Sequence, residues 1–274
     1  MKKILALALA FVMLFALAAC GGTGDNAETT TAAPDAGTTA AKETDLDYIK
    51  NKGTLVVGIT DYAPMDYKEE GSDEWTGFDA EFARLAAAKL GVTAEFVEID
   101  WDNKFFELDS KAIDCIWNGM TITDEALANA SVSEPYVKNA QVVVMAADKI
   151  DSYTTVESLK DLTFAVEAGS AGEEACKEAK LDYTAVLTQS NALMEVSSGA
   201  ADACVIDITM ANAMTGEGTS YADFTYSLEL TSEEYGIACR EGSDLTDAIN
   251  DIMVELINDG SLAALAEKYE LTLA

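Results

Sequence analysis

Polar and aromatic residues follow three strand-like runs in the first half of this 274-residue chain, at the point where each run ends. Asp61 and Tyr62 come directly after the first run, and Trp101 follows the second. The third run stops at Asn118-Gly119, and the hydroxyl of Thr121 comes two residues later. Because the carboxyl ends of parallel strands meet at one edge of a sheet, where ligands bind, we expect these groups to lie close together. Their chemistry suits the binding of a small polar molecule.

The second half of the chain has matching strand ends of its own. Glu167 and Ser170 follow the run "LTFAV", and Asp207 closes the run "ADACVID". Ser170 with Glu173 fits a capping box, and a capped helix start also attracts anions. Asp207 ends a buried run, where an unpaired carboxylate is costly, so a cationic partner is favoured. For Asp61 and Glu167, ligand contact and a solvated loop are both open interpretations.

Several classes of enzyme and metal site are excluded by composition. The chain contains no histidine, which excludes a histidine general base, histidine nucleophile pairs and histidine metal ligation. Its cysteines beyond Cys20 are widely spaced, so no zinc or redox motif is present. We therefore predict no metal site and no cofactor. The sequence does not fix whether any of these cysteines pair: Cys115, Cys176, Cys204 and Cys239.

The charge is strongly acidic, with 17 Lys and Arg against 49 Asp and Glu and a formal net charge of −32. Such a chain repels phosphate backbones, so nucleic acid is not expected as a partner. Its electric field favours cationic over anionic solutes.

An export signal is predicted at the amino terminus. A short basic start and an apolar run, over residues 1–19, precede Cys20 in the stretch "LAAC". This ending resembles the lipobox of bacterial lipoproteins, in which the cysteine is lipid-modified. We expect Cys20 to anchor the protein to the outer face of the cell membrane. Residues 20–45 are rich in Thr, Ala and Gly and are predicted to form a flexible tether.

The remaining residues repeat one order of elements, β-α-β-α-β, twice. Alternating strands and helices predict an α/β fold with largely parallel sheets, here two doubly wound lobes facing each other across a polar cleft.

Seven segments in order resemble the extracellular solute-binding proteins of amino-acid ABC importers, which have the type II periplasmic-binding-protein fold. Among them are "LVVGITDYAPMDY", "IDCIWNGMTITDE" and "GAADACVID". The resemblance implies a first lobe at 46–139, a second lobe at 140–235 and completion of the first lobe by 236–274. It also implies a two-strand hinge near 136–140 and 234–236. We expect such a protein to be a monomer.

The resemblance also implies roles for the strand-end residues. Tyr62 and Trp101 match aromatic walls around the ligand, with packing in the core as the alternative. Asp207 matches the acid that fixes the α-ammonium of the ligand. Segment 118–121 matches a turn that binds both ends of an amino acid. Ser170 matches the helix start that receives the carboxylate, and the match of Asp61 to a further family aspartate is left open.

Two positions depart from the family pattern. Ala126 stands where amino-acid binders usually carry an arginine that pairs with the ligand carboxylate. Glu167 stands where glutamine binders tend to have a lysine. The sequence therefore predicts a site that has lost positive charge and gained negative charge.

We expect a non-enzymatic, substrate-binding lipoprotein that passes a small, preferably cationic, amino acid to the permease subunits of an ABC importer. One alternative is a ligand-sensing clamp for signalling, which normally carries a membrane span and an output domain. Another is a lyase or dehydratase on the same fold, with Asp61, Glu167 and Asp207 as acid and base.

Overall fold

The computed structural model describes residues 43–274. The predicted signal peptide, the predicted lipidation site Cys20 and nearly all of the predicted tether lie outside the described residues. Between residues 43 and 274, no helix is long and apolar enough to cross a membrane.

Strands and helices alternate along most of the described chain. The strands are β1 Thr54–Ile59, β2 Tyr67–Lys68, β3 Trp75–Thr76, β4 Thr93–Glu98, β5 Cys115–Ile116, β6 Ser131–Val132, β7 Val137–Asn139, β8 Gln141–Ala146, β9 Thr163–Glu167, β10 Asp182–Val186, β11 Ala203–Asp207, β12 Phe224–Glu229, β13 Glu233–Tyr235 and β14 Ala238–Cys239. The α-helices are α1 Asp45–Lys52, α2 Phe78–Leu90, α3 Lys104–Asp109, α4 Asp124–Asn129, α5 Ala171–Ala179, α6 Gln189–Ser198, α7 Ile208–Met214, α8 Leu245–Asn258 and α9 Ser261–Lys268. Short 3-10 turns span Trp101–Asn103, Ile150–Ser152 and Val156–Leu159.

The first sheet has the strand order β4-β1-β5-β14-β6. β1 runs parallel to β4 and β5, whereas β14 runs antiparallel to β5 and β6. Leu55, Val57 and Ile59 of β1 are fully buried, as expected of a strand covered by helices. Helix α2 packs on β1 and β4, and Phe78 and Phe82, one turn apart, are buried. We call this sheet and its helices lobe 1.

The second sheet has the strand order β10-β9-β11-β8-β12. β9 runs parallel to β10 and β11, and β8 runs antiparallel to β11 and β12. Helices α5 and α6 pack on this sheet, which we call lobe 2 with its helices. The predicted β-α-β-α-β order is present in both lobes, as β1-α2-β4-α3-β5 and β9-α5-β10-α6-β11. The predicted two-lobed α/β fold is therefore confirmed.

A two-stranded ribbon connects the lobes. β7 and β13 pair antiparallel, with Val137 opposite Tyr235 and Asn139 opposite Glu233. The ribbon lies where two crossing strands were predicted as the hinge.

The carboxyl-terminal segment returns to lobe 1, because β14 joins the first sheet and α8 and α9 pack against α2. Ion pairs of 2.8 Å between Lys89 and Glu255, and 2.6 Å between Lys268 and Glu81, add to this contact. The residue boundaries of the lobes stay a prediction.

Candidate functional site

A cavity of about 330 Å³ lies between the two lobes. Its volume is within the range of small-molecule sites. Seven of the nine residues predicted to contact a ligand line it: Trp101, Asn118, Gly119, Thr121, Glu167, Ser170 and Asp207.

Trp101 forms part of the lobe 1 wall at the end of β4. It begins the 3-10 turn Trp101–Asn103, where Asp100 accepts a 3.2 Å hydrogen bond from the Asp102 N–H. This cap turns the chain away from the strand and leaves the largely buried indole at the cavity.

The loop after β5 is fixed by two buried polar side chains. Asn118 Oδ1 accepts from the Thr60 N–H at 2.7 Å, and Asn118 Nδ2 donates to Thr60 Oγ1 at 2.9 Å. The Gly119 N–H donates to Asp79 Oδ2 at 2.6 Å. Gly119 has a φ of +55°, which favours glycine, so the loop presents its backbone to the cavity.

Tyr62 and Asp61 do not line the cavity. The hydroxyl of Tyr62 lies 2.5 Å from both Thr209 Oγ1 and the Tyr235 hydroxyl, and only 2% of the residue is exposed. A Cβ added to Gly119 would meet Tyr62 Cε1 at 2.6 Å, so the phenol ring lies behind Gly119. Asp61 is exposed. The hydroxyl contacts thus hold Tyr62 away from the cavity wall, and Asp61 also lies outside the cavity lining.

Ser170 begins helix α5 on the lobe 2 side of the cavity. Its Oγ accepts from the Glu173 N–H at 3.1 Å, and Glu173 Oε2 accepts from the Gly169 N–H at 2.8 Å. The Glu173 side chain thus reaches back beyond the cap, a variation on the predicted capping box. Ala171, at the first helical position, lines the cavity beside Ser170.

Asp207 lies at the end of β11 and is 3% exposed. Its Oδ1 accepts from the side-chain amides of Asn139 and Gln141, and its Oδ2 accepts from Gln189 Nε2. Burial, followed by the negative charge of Glu233, raises the pKa of Asp207 to about 7, although the three amides act in the opposite direction. The three hydrogen bonds therefore do not replace a positively charged partner for the Asp207 carboxylate.

Glu167 is the second buried acid of the cavity. It is 3% exposed, and among the described residues its Oε1 has no hydrogen-bond partner. Burial, then the negative charge of Asp207, raises its pKa well above the ordinary value, while Lys104 lowers it. Of the two interpretations left open by the sequence, the solvated loop is excluded by this burial.

Lys104 corrects the prediction that positive charge is missing from the site. This first residue of α3 lines the cavity and is only 6% exposed. Its Nζ donates to the carbonyl oxygens of Trp101 at 3.3 Å and Gly169 at 2.8 Å. Sequence reasoning missed it because Phe105 and Leu108 alone defined the buried face. The available signal was the four-residue spacing between Lys104 and Leu108, which puts both on one side of the helix.

Glu233 of the hinge strand β13 was also missed. Its Oε1 accepts from Thr121 Oγ1 at 2.8 Å, Asn139 Nδ2 at 2.6 Å and Gln141 Nε2 at 2.7 Å. Asn139 and Gln141 therefore bridge Asp207 and Glu233. Only the position of Glu233 beside the predicted hinge hinted at this role.

The two lobes are in direct contact around the cavity. Lys104 donates to Gly169 across the gap, and Ser190 Oγ donates to the Asp61 carbonyl at 3.2 Å. A Cβ on Gly169 would meet Asp102 Oδ1 at 2.8 Å and Asp102 Cα at 2.9 Å. The structure is therefore a closed conformation in which the lobes meet without room for another side chain at Gly169.

Comparisons with known proteins agree with this geometry. Residues 55–272 match the model of the bacterial extracellular solute-binding proteins, family 3. The arginine-binding extracellular protein ArtP of Bacillus subtilis is 30% identical, over 98% of each chain. The ABC transporter glutamine-binding protein GlnH of the same organism is 32% identical, over 98% of this chain and 97% of its own.

Among solved structures, the P235GK mutant of ArgBP from T. maritima matches with a TM-score of 0.76 and 33% identity. The match covers 82% of this chain and 98% of that one. These relatives are solute-binding proteins, not enzymes. With its family match over nearly all the described residues, this chain belongs to the bacterial extracellular solute-binding proteins, family 3, which bind amino acids and work with ABC transporters.

Proposed function

We propose that this protein captures a small amino acid with a cationic side chain and delivers it to the permease of an ABC importer. The observation that carries the proposal is the charge of the cavity lining. Two ammonium groups, of Lys104 and Lys177, face five acids: Glu125, Glu167, Glu173, Glu174 and Asp207. The same imbalance argues against an acidic ligand.

The most buried charges sharpen this argument. Glu167 and Asp207 are each 3% exposed, and Lys104 is 6% exposed, so two acids face one base. A neutral zwitterion brings no net charge and leaves one acid in excess. A cationic side chain supplies the missing positive charge, and compensation of a buried charge is strongly favourable. We therefore expect affinity to fall from cationic to neutral to acidic amino acids.

The named relatives support the ligand class. ArtP is named as an arginine-binding protein and GlnH as a glutamine-binding protein. Both names specify a free amino acid, and one of them is cationic.

Calorimetric titration with L-arginine, L-lysine, L-glutamine and L-glutamate tests the proposal. We expect a cationic amino acid to bind most tightly. Glu167→Gln should weaken cationic binding by about tenfold or more, since a desolvated charge pair is worth 2–5 kcal/mol, and should spare L-glutamine. Glu178→Gln, which makes the same change at an exposed position of the following helix α5, is the matched control. Tightest binding of L-glutamate, or no binding by any of the four, would refute the proposal.

We further propose that the protein is a monomer held at the outer face of the cell membrane by lipid on Cys20. The motif "LAAC" after an apolar run supports the lipid anchor. Cys20→Ser should move the protein from the membrane fraction to the medium, and mass spectrometry of the mature amino-terminal peptide should detect the lipid. An unmodified Cys20 peptide would contradict the anchor, and a dimer in size-exclusion chromatography would contradict the monomer.

A further inference from the structure

The ammonium group of Lys104 is buried at the cavity wall without a paired carboxylate. None of the ion pairs formed within residues 43–274 includes it. Its hydrogen bonds to Trp101 O and Gly169 O use two of its three N–H donors. A buried cation with a donor to spare is costly unless an anion completes it.

The start of helix α5 is the second feature of this wall. Lys104 bonds to Gly169, which is followed directly by Ser170 and the nine-residue helix α5. The first N–H groups of a helix have no acceptor one turn back, and that of Ala171, which lines the cavity, is among them. Ser170 Oγ accepts from the Glu173 N–H, not from the Ala171 N–H. The Lys104 ammonium and the start of helix α5 therefore lie side by side on this wall of the cavity.

Ala126 is the third feature. Its methyl group lines the same cavity from α4 and the residue is 1% exposed, so no side chain at this position brings charge. Both arginines lie elsewhere: Arg84 bonds to the Trp75 carbonyl, and Arg240 pairs with Asp45 and Asp114. Among the described residues lining the cavity, Lys104 is thus the buried cation, because Lys177 is exposed and pairs with Glu173 at 2.9 Å.

We propose that Lys104 binds the carboxylate of the amino acid together with the start of α5, and that it couples this recognition to closure of the lobes. The coupling follows from position, because Lys104 belongs to lobe 1 and bonds to Gly169 in lobe 2. Its ammonium can meet the carboxylate at α5 only when the lobes close. The inference rests on the proposed function, since it assumes an amino acid ligand.

Two other roles for Lys104 make different predictions. If Lys104 were only a latch between the lobes, its loss would weaken every ligand equally. If it only neutralised nearby acids such as Glu167, its loss would leave amino-acid binding unchanged or tighter.

The test compares each amino acid with the same molecule lacking its carboxyl group: L-arginine with agmatine, and L-lysine with cadaverine. Titrations of the intact protein by calorimetry first establish which pair binds. Failure of every compound with the unmodified protein refutes the proposed function, before any variant is made.

For the pair that binds, Lys104→Met should weaken the amino acid by about 30-fold or more, as expected for loss of a desolvated charge contact. Binding of the decarboxylated amine should stay within about threefold or become tighter. Lys104→Gln keeps a donor for Gly169 but removes the charge, and should behave like Lys104→Met. Lys149→Met removes the same charge at an exposed turn beyond the far end of β8 and is the control.

Equal losses for amino acid and amine, amino-acid affinity within threefold of the unmodified protein, or full affinity in Lys104→Gln would each overturn the proposal. Far-UV circular dichroism of both Lys104 variants verifies that they fold. If Lys104→Met does not fold, the result for Lys104→Gln decides.

Discussion

Replacing Asp207 by asparagine should stabilise the ligand-free protein at high pH and destabilise it at low pH. The fold raises the pKa of this carboxyl from 3.8 to about 7, first through burial and then through Glu233. Each tenfold change in proton affinity is 1.36 kcal/mol, so ionised Asp207 costs the native state roughly 4 kcal/mol. Asparagine removes that cost. It also relieves Glu167, whose pKa is raised by the same charge.

The substitution has a hydrogen-bonding cost of its own. Every side-chain partner of the Asp207 carboxylate is an amide donor: Asn139, Gln141 and Gln189. The new amide group must therefore face a donor on one side. Gln189 cannot simply turn round, because its Oε1 accepts the Asp207 N–H at 2.9 Å. One mismatched buried group costs about 1–3 kcal/mol, which leaves a net gain of about 1–3 kcal/mol at pH 8.

The sign of the pH dependence follows from proton linkage. Well below pH 3.8, Asp207 is protonated in both the folded and the unfolded state, so only the mismatch remains and the variant is less stable. As pH rises from 4 to 7, the unfolded chain ionises first and the unmodified protein loses stability relative to the variant. The difference becomes constant only once the pH is clearly above the folded pKa of about 7.

Urea unfolding followed by tryptophan fluorescence at half-unit steps between pH 4.5 and 8 measures this difference. Asp251→Asn, an exposed change on α8, is the control for net charge. A difference in the free energy of unfolding that stays constant over this range would refute the assigned environment of Asp207. Greater stability of the unmodified protein at pH 8 would refute it as well.

Further predictions concern closure, proton release, the core and the thiols. Gly169→Ala should lower ligand affinity by about tenfold or more in calorimetry, because the approach of an added Cβ to Asp102 Oδ1, at 2.8 Å, penalises only the closed lobes; unchanged affinity would contradict this. A cationic ligand should displace the proton of Asp207, so titrations at pH 6 in buffers of different ionisation heat should reveal proton release. Arg240→Met should destabilise the fold by about 3–5 kcal/mol in urea unfolding, since it removes a partner of the fully buried Asp114 carboxylate; a loss under 1 kcal/mol would count against the pairing. Four buried thiols with raised pKa values should react with a disulfide reagent at pH 8 far more slowly in the native than in the urea-unfolded protein: Cys115, Cys176, Cys204 and Cys239.

The two-lobed fold could be predicted because local patterns specify it. The buried strands are continuous apolar runs, such as "TLVVGI" in β1, and each is followed by a helix with its own apolar face. Strand ends are visible in such patterns, so Trp101, Asn118 and Asp207 could be placed near one another without coordinates.

What could not be predicted depends on contacts between distant segments. Lys104 resembles an ordinary surface charge in its own neighbourhood, and its burial requires Gly169 of the other lobe. Tyr62 comes at the right strand end, but Thr209 and Tyr235 determine the direction of its ring. The spacing of Lys104 from Leu108 indicates only which side of the helix it is on, and the sequence pattern identifies neither Gly169 as its partner nor Thr209 and Tyr235 as the partners of Tyr62.

The side-chain amides of Asn139 and Gln141 connect the hinge to the carboxylates of the cavity by hydrogen bonds. Asn139 Nδ2 and Gln141 Nε2 each donate to both Asp207 and Glu233. Asn139 and Glu233 are themselves residues of the paired ribbon. Neither carboxylate can turn towards an arriving cation without withdrawing from donors that the other also uses. Binding of a cation by either carboxylate therefore changes the hydrogen bonds of the hinge ribbon directly, without movement of a separate loop.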